Sequence, residues 1–262
     1  MDDDVEIIIK RLENSKSIDS INLSNRQLKE LPFNLNKIIN QIKFLYLDNN
    51  KLIFVPEIGD FVQLEELSLE SNELTLIPET FFKLKNLKSL NLSKNTLRCI
   101  NSNLFTNLSN LTVLWLNNCE LMYLPKEIGS LKYLEKLGFK SNYLQELPDE
   151  FCNLTKLRWL NMEKNEISKL PDNFNNLKSL NYLNISNNKL EKIAQSIFEL
   201  KELNVLILAN NMINEFNEEN LLNLSSLDKV NLSANLFIDK IKKNKPEFYN
   251  QLLSINNFVF QN

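Results

Sequence analysis

Histidine is absent from the 262 residues, and glycine occurs only three times, at Gly59, Gly129 and Gly138. Without an imidazole the chain can form no Ser-His-Asp or Cys-His nucleophile, no histidine general base and no histidine-ligated metal site. Three isolated glycines cannot build the G-x-G-x-x-G or G-x-x-x-x-G-K-[ST] turns whose backbone cradles phosphates. Charge of one sign is also lacking: 30 Lys+Arg stand against 33 Asp+Glu, a net −3, so nothing pulls the chain toward nucleic acid or anionic lipid. The cysteines Cys99, Cys119 and Cys152 are odd in number and show no C-x-x-C spacing, which reads as reduced thiols rather than a disulfide framework. No segment approaches the roughly 18 apolar residues of a membrane span. The first fifteen residues, with three aspartates and a three-isoleucine run, lack the positive start and long apolar stretch of a signal peptide. These absences predict a cytoplasmic, non-enzymatic protein with no metal, cofactor or small-molecule substrate.

Leucine and asparagine are abundant instead, 50 and 43 residues respectively. The frame L-x-x-L-x-L-x-x-N-x-L fits ten times, starting at Ile18, Ile42, Leu64, Leu87, Leu111, Leu134, Leu157, Leu180, Leu203 and Leu227, with spacings of 22 to 24 residues. So tight a period identifies leucine-rich repeats. The L-x-L core alternates with period two, as in Leu45-Tyr46-Leu47, and predicts a short strand with one face buried. One repeat cannot bury its apolar face alone, and stacking buries it continuously.

The frame asparagines are Asn50, Asn72, Asn95, Asn142, Asn165, Asn188, Asn211 and Asn235. A carboxamide both donates and accepts, so this column predicts a ladder that satisfies buried backbone groups between coils. Arg26 and Cys119 replace the asparagine in the first and fifth repeats. The thiol of Cys119 is expected to pack without bridging in the same way, with a redox role as the lesser reading. Six prolines (Pro32, Pro56, Pro78, Pro125, Pro148 and Pro171) follow an aliphatic residue at one fixed place, where they end the strand and start a 3₁₀-like return on the convex side. Asn101, Ala194 and Asn217 stand where three repeats lack that proline, and their outer segments should be looser or more helical.

Residues 1–17 predict an amphipathic capping helix, residues 18–237 the ten repeats, and residues 238–262 a C-terminal cap with a helix from about Pro246 to Leu253. The expected fold is a single α/β right-handed solenoid, or horseshoe, with a parallel concave sheet and no second domain.

The 23-residue unit, best seen from Leu124 to Leu144 and from Leu147 to Ile167, resembles the intracellular Ras-group leucine-rich repeats of Ras suppressor and scribble-type scaffolds. That resemblance implies a signalling scaffold or regulator. A regulatory or targeting subunit for a phosphatase or small-GTPase pathway enzyme is an alternative, and a secreted adhesion or recognition protein another. Framework repeats fix fold more tightly than function.

A site is sought among the side chains that alternate with the strand leucines. Trp115, Arg158, Trp159, Tyr182, Val205 and Ile207 cluster between repeats five and nine, and are residue types that dominate binding hot spots or support them. A second region holds Phe44, Tyr46, Asp48, Glu65, Glu66 and Glu70, an aromatic pair beside acids that suits a basic peptide. Both regions predict a protein partner on the concave face of a monomer. Eight N-x-[ST] sequons are by-products of the L-N-L-S frame, and Lys240, Lys242, Lys243 and Lys245 read as solvated.

Overall fold

The computed structural model describes residues 7–11, 14–15, 19–255 and 257–259. Its centre is one parallel sheet whose strands follow chain order without a crossover. The strands are β1 (Ser20–Asn22), β2 (Phe44–Tyr46), β3 (Glu66–Ser68), β4 (Ser89–Asn91), β5 (Val113–Trp115), β6 (Lys136–Gly138), β7 (Trp159–Asn161), β8 (Tyr182–Asn184), β9 (Val205–Ile207), β10 (Lys229–Asn231) and β11 (Phe258–Val259). Register is set by the buried middle residue of each three-residue strand: Ile21 lies against Leu45, Leu45 against Leu67, Leu114 against Leu137 and Leu160 against Leu183. A slip of one residue would turn that leucine column to solvent, so the hydrophobic pattern holds the register. Leu47, Leu69, Leu92, Leu116, Phe139 and Met162, two residues on, are also fully buried and continue the core beyond the strand.

The return segments on the convex side are short 3₁₀ helices, including Pro56–Asp60, Glu79–Lys83, Lys126–Ser130 and Asp149–Asn153. Proline stands at or just before the first helical residue in each, where its missing N–H costs nothing. Two of the three proline-free repeats carry α-helices in its place, α1 (Ser102–Asn107) and α2 (Glu218–Asn223). Asn101 and Asn217 cap them, their carbonyl oxygens accepting from the Asn103 and Asn220 N–H groups. Ala194 has no such side chain, and its return stays a 3₁₀ turn at Gln195–Ile197 rather than becoming more helical. The scarce glycines sit where chains approach closely. A Cβ at Gly59 would fall 2.4 Å from the Thr80 carbonyl oxygen, and one at Gly129 would fall 2.2 Å from that of Glu150.

At the amino terminus residues 7–11 are helical and Ile9 is buried against the first coils. Residues 2–4, Val5, Leu12 and Ile18 of the expected cap and its boundary lie outside the described residues. The C-terminal cap holds a helix and a strand besides the expected helix from Pro246. Helix α3 (Leu236–Asn244) begins inside the last frame and buries Phe237, Ile238 and Ile241, and α4 (Pro246–Leu253) follows it. The chain then returns to the sheet, pairing Phe258 with Val230 and Val259 with Asn231. The repeat therefore does not simply stop after Phe237. The lysines of α3 obscure its apolar face, and two residues are too short to show a strand's alternation.

Candidate functional site

The asparagine column stitches neighbouring coils together. In Asn72 the carboxamide nitrogen donates to Leu47 O of the preceding coil and Leu69 O of its own, each at 3.0 Å, while Oδ1 accepts from the Leu52 N–H at 3.1 Å. The same three bonds recur at Asn50, Asn95, Asn142, Asn165, Asn188, Asn211 and Asn235, all buried.

Cys119 packs, as expected, and makes only part of the asparagine bridge. Its Sγ lies 3.2 Å from Leu92 O, the same carbonyl to which Asn95 donates within its own coil. What the thiol lacks is the acceptor for the Leu97 N–H, and the backbone is rebuilt around that loss. Arg98 N–H donates to Cys119 O, Met122 N–H donates to Arg98 O, and Asn142 Oδ1 accepts from both Cys119 and Leu121. Arg98 and Glu120 take positive φ (57° each), as does Gln27 beside Arg26, whereas the other non-glycine positive φ values recur one residue before each frame position. Burial pushes the Cys119 thiol up to about 12, so it is held protonated.

On the concave side the structure joins the aromatic residues. Val113, Lys136, Trp159, Tyr182 and Val205 stand in register on adjacent strands, and Trp115, Gly138 and Asn161 in the next column. Trp159 stacks on Tyr182 with centroids 5.1 Å apart and planes 6° from parallel. Trp115 meets Trp159 edge to face, also at 5.1 Å and with an 80° interplanar angle. The two tryptophans lie two strands apart, and Gly138 is what lets them touch. A Cβ there would be 2.7 and 2.8 Å from Trp115 Cε3 and Cζ3, so the indole lies over bare backbone. All three rings are half-buried, with Val205 and Ile207 half-buried at their C-terminal side and Arg158 exposed at the start of β7. Edge-to-face and offset-stacked pairs fix ring orientation and add roughly 0.5–1.5 kcal/mol each. The result is an ordered apolar platform on the concave sheet. Gly138 had no signal of its own in the frame; only its register with Trp115 reveals it.

The second region is also assembled, but its acids are engaged within the chain. Asp48 Oδ1 accepts from Ser68 Oγ at 2.5 Å and from the Glu70 N–H at 2.8 Å. Glu70 pairs with Lys94 at 2.8 Å and accepts from Asn91, and these bonds hold its carboxyl below the usual range. Glu65 bridges Lys88 at 2.6 Å and Lys43 at 3.6 Å. Tyr46 beside Phe44 is shifted upward by burial and by the negative charges of Glu66, its hydrogen-bond partner, and Asp48. Among the described residues no group of three or more His, Cys, Asp and Glu side chains is placed to hold a metal ion, and no helix is long and apolar enough to cross a membrane.

Comparison with known proteins follows from this geometry. The family described as leucine rich repeat matches residues 62–121, and that described as leucine-rich repeat region matches residues 149–257. A mouse leucine-rich repeat and calponin homology domain-containing protein is 37% identical over 131 residues, 49% of this chain and 18% of that protein. The rat volume-regulated anion channel subunit LRRC8D is 32% identical over 121 residues, 45% of this chain and 14% of that protein. The chain thus spans less than a fifth of these curated relatives. Among solved structures, a leucine-rich-repeat protein of Leptospira interrogans superposes with a TM-score of 0.81 at 27% identity, covering 96% of this chain and 68% of that one.

Proposed function

We propose that this leucine-rich-repeat solenoid is a non-catalytic interaction module that holds a protein partner on its concave face, as a scaffold or regulator. The observation that carries the reading is the Trp115–Trp159–Tyr182 array laid over Gly138. Large aromatic groups on an exposed sheet lose apolar contact with water when a partner covers them, and interface energy concentrates in such residues. The array is also rigid. Its rings are already fixed by one another, so binding loses little side-chain entropy. Leucine-rich-repeat folds mediate protein–protein contact as a rule, and the resemblance to Ras-group repeats supports a signalling role. The acidic region at Asp48, Glu65, Glu66 and Glu70 serves as a secondary contact, where a partner's basic residues would compete with Lys88 for Glu65 and with Lys94 for Glu70.

The test is affinity capture from the native source with the wild-type chain and with Trp115→Ala plus Trp159→Ala, each checked for thermal unfolding. The double variant should remain folded and lose the partner recovered by wild type. Equal recovery by a folded double variant would remove the concave platform from the account.

A further inference from the structure

A second surface lies outside the concave sheet. After the last frame leucine of each coil, two residues point outward along one flank of the solenoid before the convex return begins. In coils two to five these are Ile53-Phe54, Thr75-Leu76, Arg98-Cys99 and Met122-Tyr123. In coils six to nine the same two places hold Gln145-Glu146, Ser168-Lys169, Glu191-Lys192 and Asn214-Glu215. Large apolar side chains on this flank thus stop after coil five, and within coils two to five Thr75 and Arg98 interrupt them. Ile53, Phe54, Leu76, Met122 and Tyr123 are 47% to 66% exposed, Tyr143 beside them is equally open, and Cys99 is the exposed cysteine of the three.

Six half-exposed side chains of this size present on the order of 600 Å², taking roughly 200 Å² for each one in full. A monomer seldom leaves more than about 300–600 Å² of contiguous apolar surface in water. Two such stripes facing each other would bury about 1,200 Å², the lower bound of a specific interface.

The order of residues along the stripe selects the occupant. It reads Ile53-Phe54, Leu76, Cys99, Met122-Tyr123, and it is close to palindromic about the midpoint between coils three and four. An antiparallel two-fold through that midpoint sets Ile53 against Met122, Phe54 against Tyr123 and Leu76 against Cys99. It also sets Thr75 against Arg98, and Lys51 of the second coil against Glu120 of the fifth, a carboxylate that Arg98 of its own chain pairs with at 3.2 Å. A two-fold contact requires one patch to be complementary to itself, and this patch is. We propose that a second copy of this chain docks on the flank of coils two to five, forming an antiparallel homodimer that leaves both concave faces free.

The two-fold brings the two Cys99 residues to within about one coil spacing (~4.8 Å) of each other along the stack. Sedimentation of the 262-residue chain should show a concentration-dependent dimer, and Met122→Glu and Leu76→Glu should each weaken it about tenfold or more. Both positions are exposed, so the melting temperature of each variant should stay near that of wild type. A short bismaleimide should cross-link the wild-type dimer, and Cys99→Ser should abolish the cross-link. Trp159→Ala should leave the dimer intact, which separates this contact from the concave one. A chain that stays monomeric up to about 1 mM, or a dimer indifferent to both glutamate substitutions, overturns the assignment and leaves the stripe to a different protein.

Discussion

At the scale of single residues, the frame asparagine decides how each coil joins the next. Replacing Asn165 with Ala strands the Leu144 N–H and removes one of the two donors to each of the Phe139 and Met162 carbonyls, and should lower the free energy of unfolding by about 1–3 kcal/mol in urea titrations. Cys119 gives the converse experiment. Positive φ at Arg98 in the preceding coil and at Glu120 in its own accompanies the loss of the Leu97 N–H acceptor. Cys119→Asn should restore that acceptor, return both residues to ordinary backbone and stabilise the chain by about 1 kcal/mol. The frame and its exceptions are legible in the sequence because one residue type recurs once per coil. The backbone's response is not, since it is a compromise reached between two coils.

The thiols follow the same local logic. Burial pushes Cys119 to about 12 and Cys152 to about 11, with Asp149 adding to the latter. At pH 8 a thiol reagent should modify Cys99 rapidly, and Cys119 and Cys152 only on unfolding. A raised thiol pKa means that the folded state holds its proton more tightly than the unfolded one. The stabilisation is complete below about pH 8.5 and is lost progressively as pH rises toward the folded values. Alkaline titration of the unfolding midpoint should therefore show a decline that is shallower in Cys119→Ser plus Cys152→Ser, provided the variant folds.

At the scale of elements, strands of three residues owe their existence to stacking rather than to propensity, since none could persist alone. Their places were legible because leucine alternates with period two and the repeat fixes its phase. Gly138 shows where that reading stops. In sequence it is one more variable residue of β6, while in the sheet it is the floor under Trp115. Gly138→Ala should displace the indole, open the Trp115–Trp159 contact and change tryptophan fluorescence, with partner recovery reduced and unfolding shifted only modestly. The caps divide in the same way. Proline-to-asparagine changes at residues 101 and 217 mark α-helices because asparagine caps them, and alanine at 194 does not.

At the scale of the whole molecule, the stack is a quasi-one-dimensional object whose ends must be covered. Phe216 lies between Phe237 of α3 and Phe248 of α4, with centroids 5.7 and 6.3 Å away, and this aromatic group ties the cap to the last coils. Phe237→Ala should cost about 3–5 kcal/mol and expose the C-terminal coils first, visible as early amide exchange in β9 and β10. The first helix and the last strand of that cap were not legible, because lysines mask the helix's apolar face and β11 has only two residues. The repeat count, the concave sheet and both surface columns were legible, because each needs only the period.

The central claim is that one aromatic platform on the concave sheet carries partner affinity. The direct measurement is calorimetric titration of the captured partner against wild type and Trp159→Ala, with thermal unfolding measured on the same samples. The account predicts that Trp159→Ala loses about 2–4 kcal/mol of binding free energy, some thirty-fold or more in Kd, at an unchanged melting temperature. An unchanged Kd for the folded variant would contradict it.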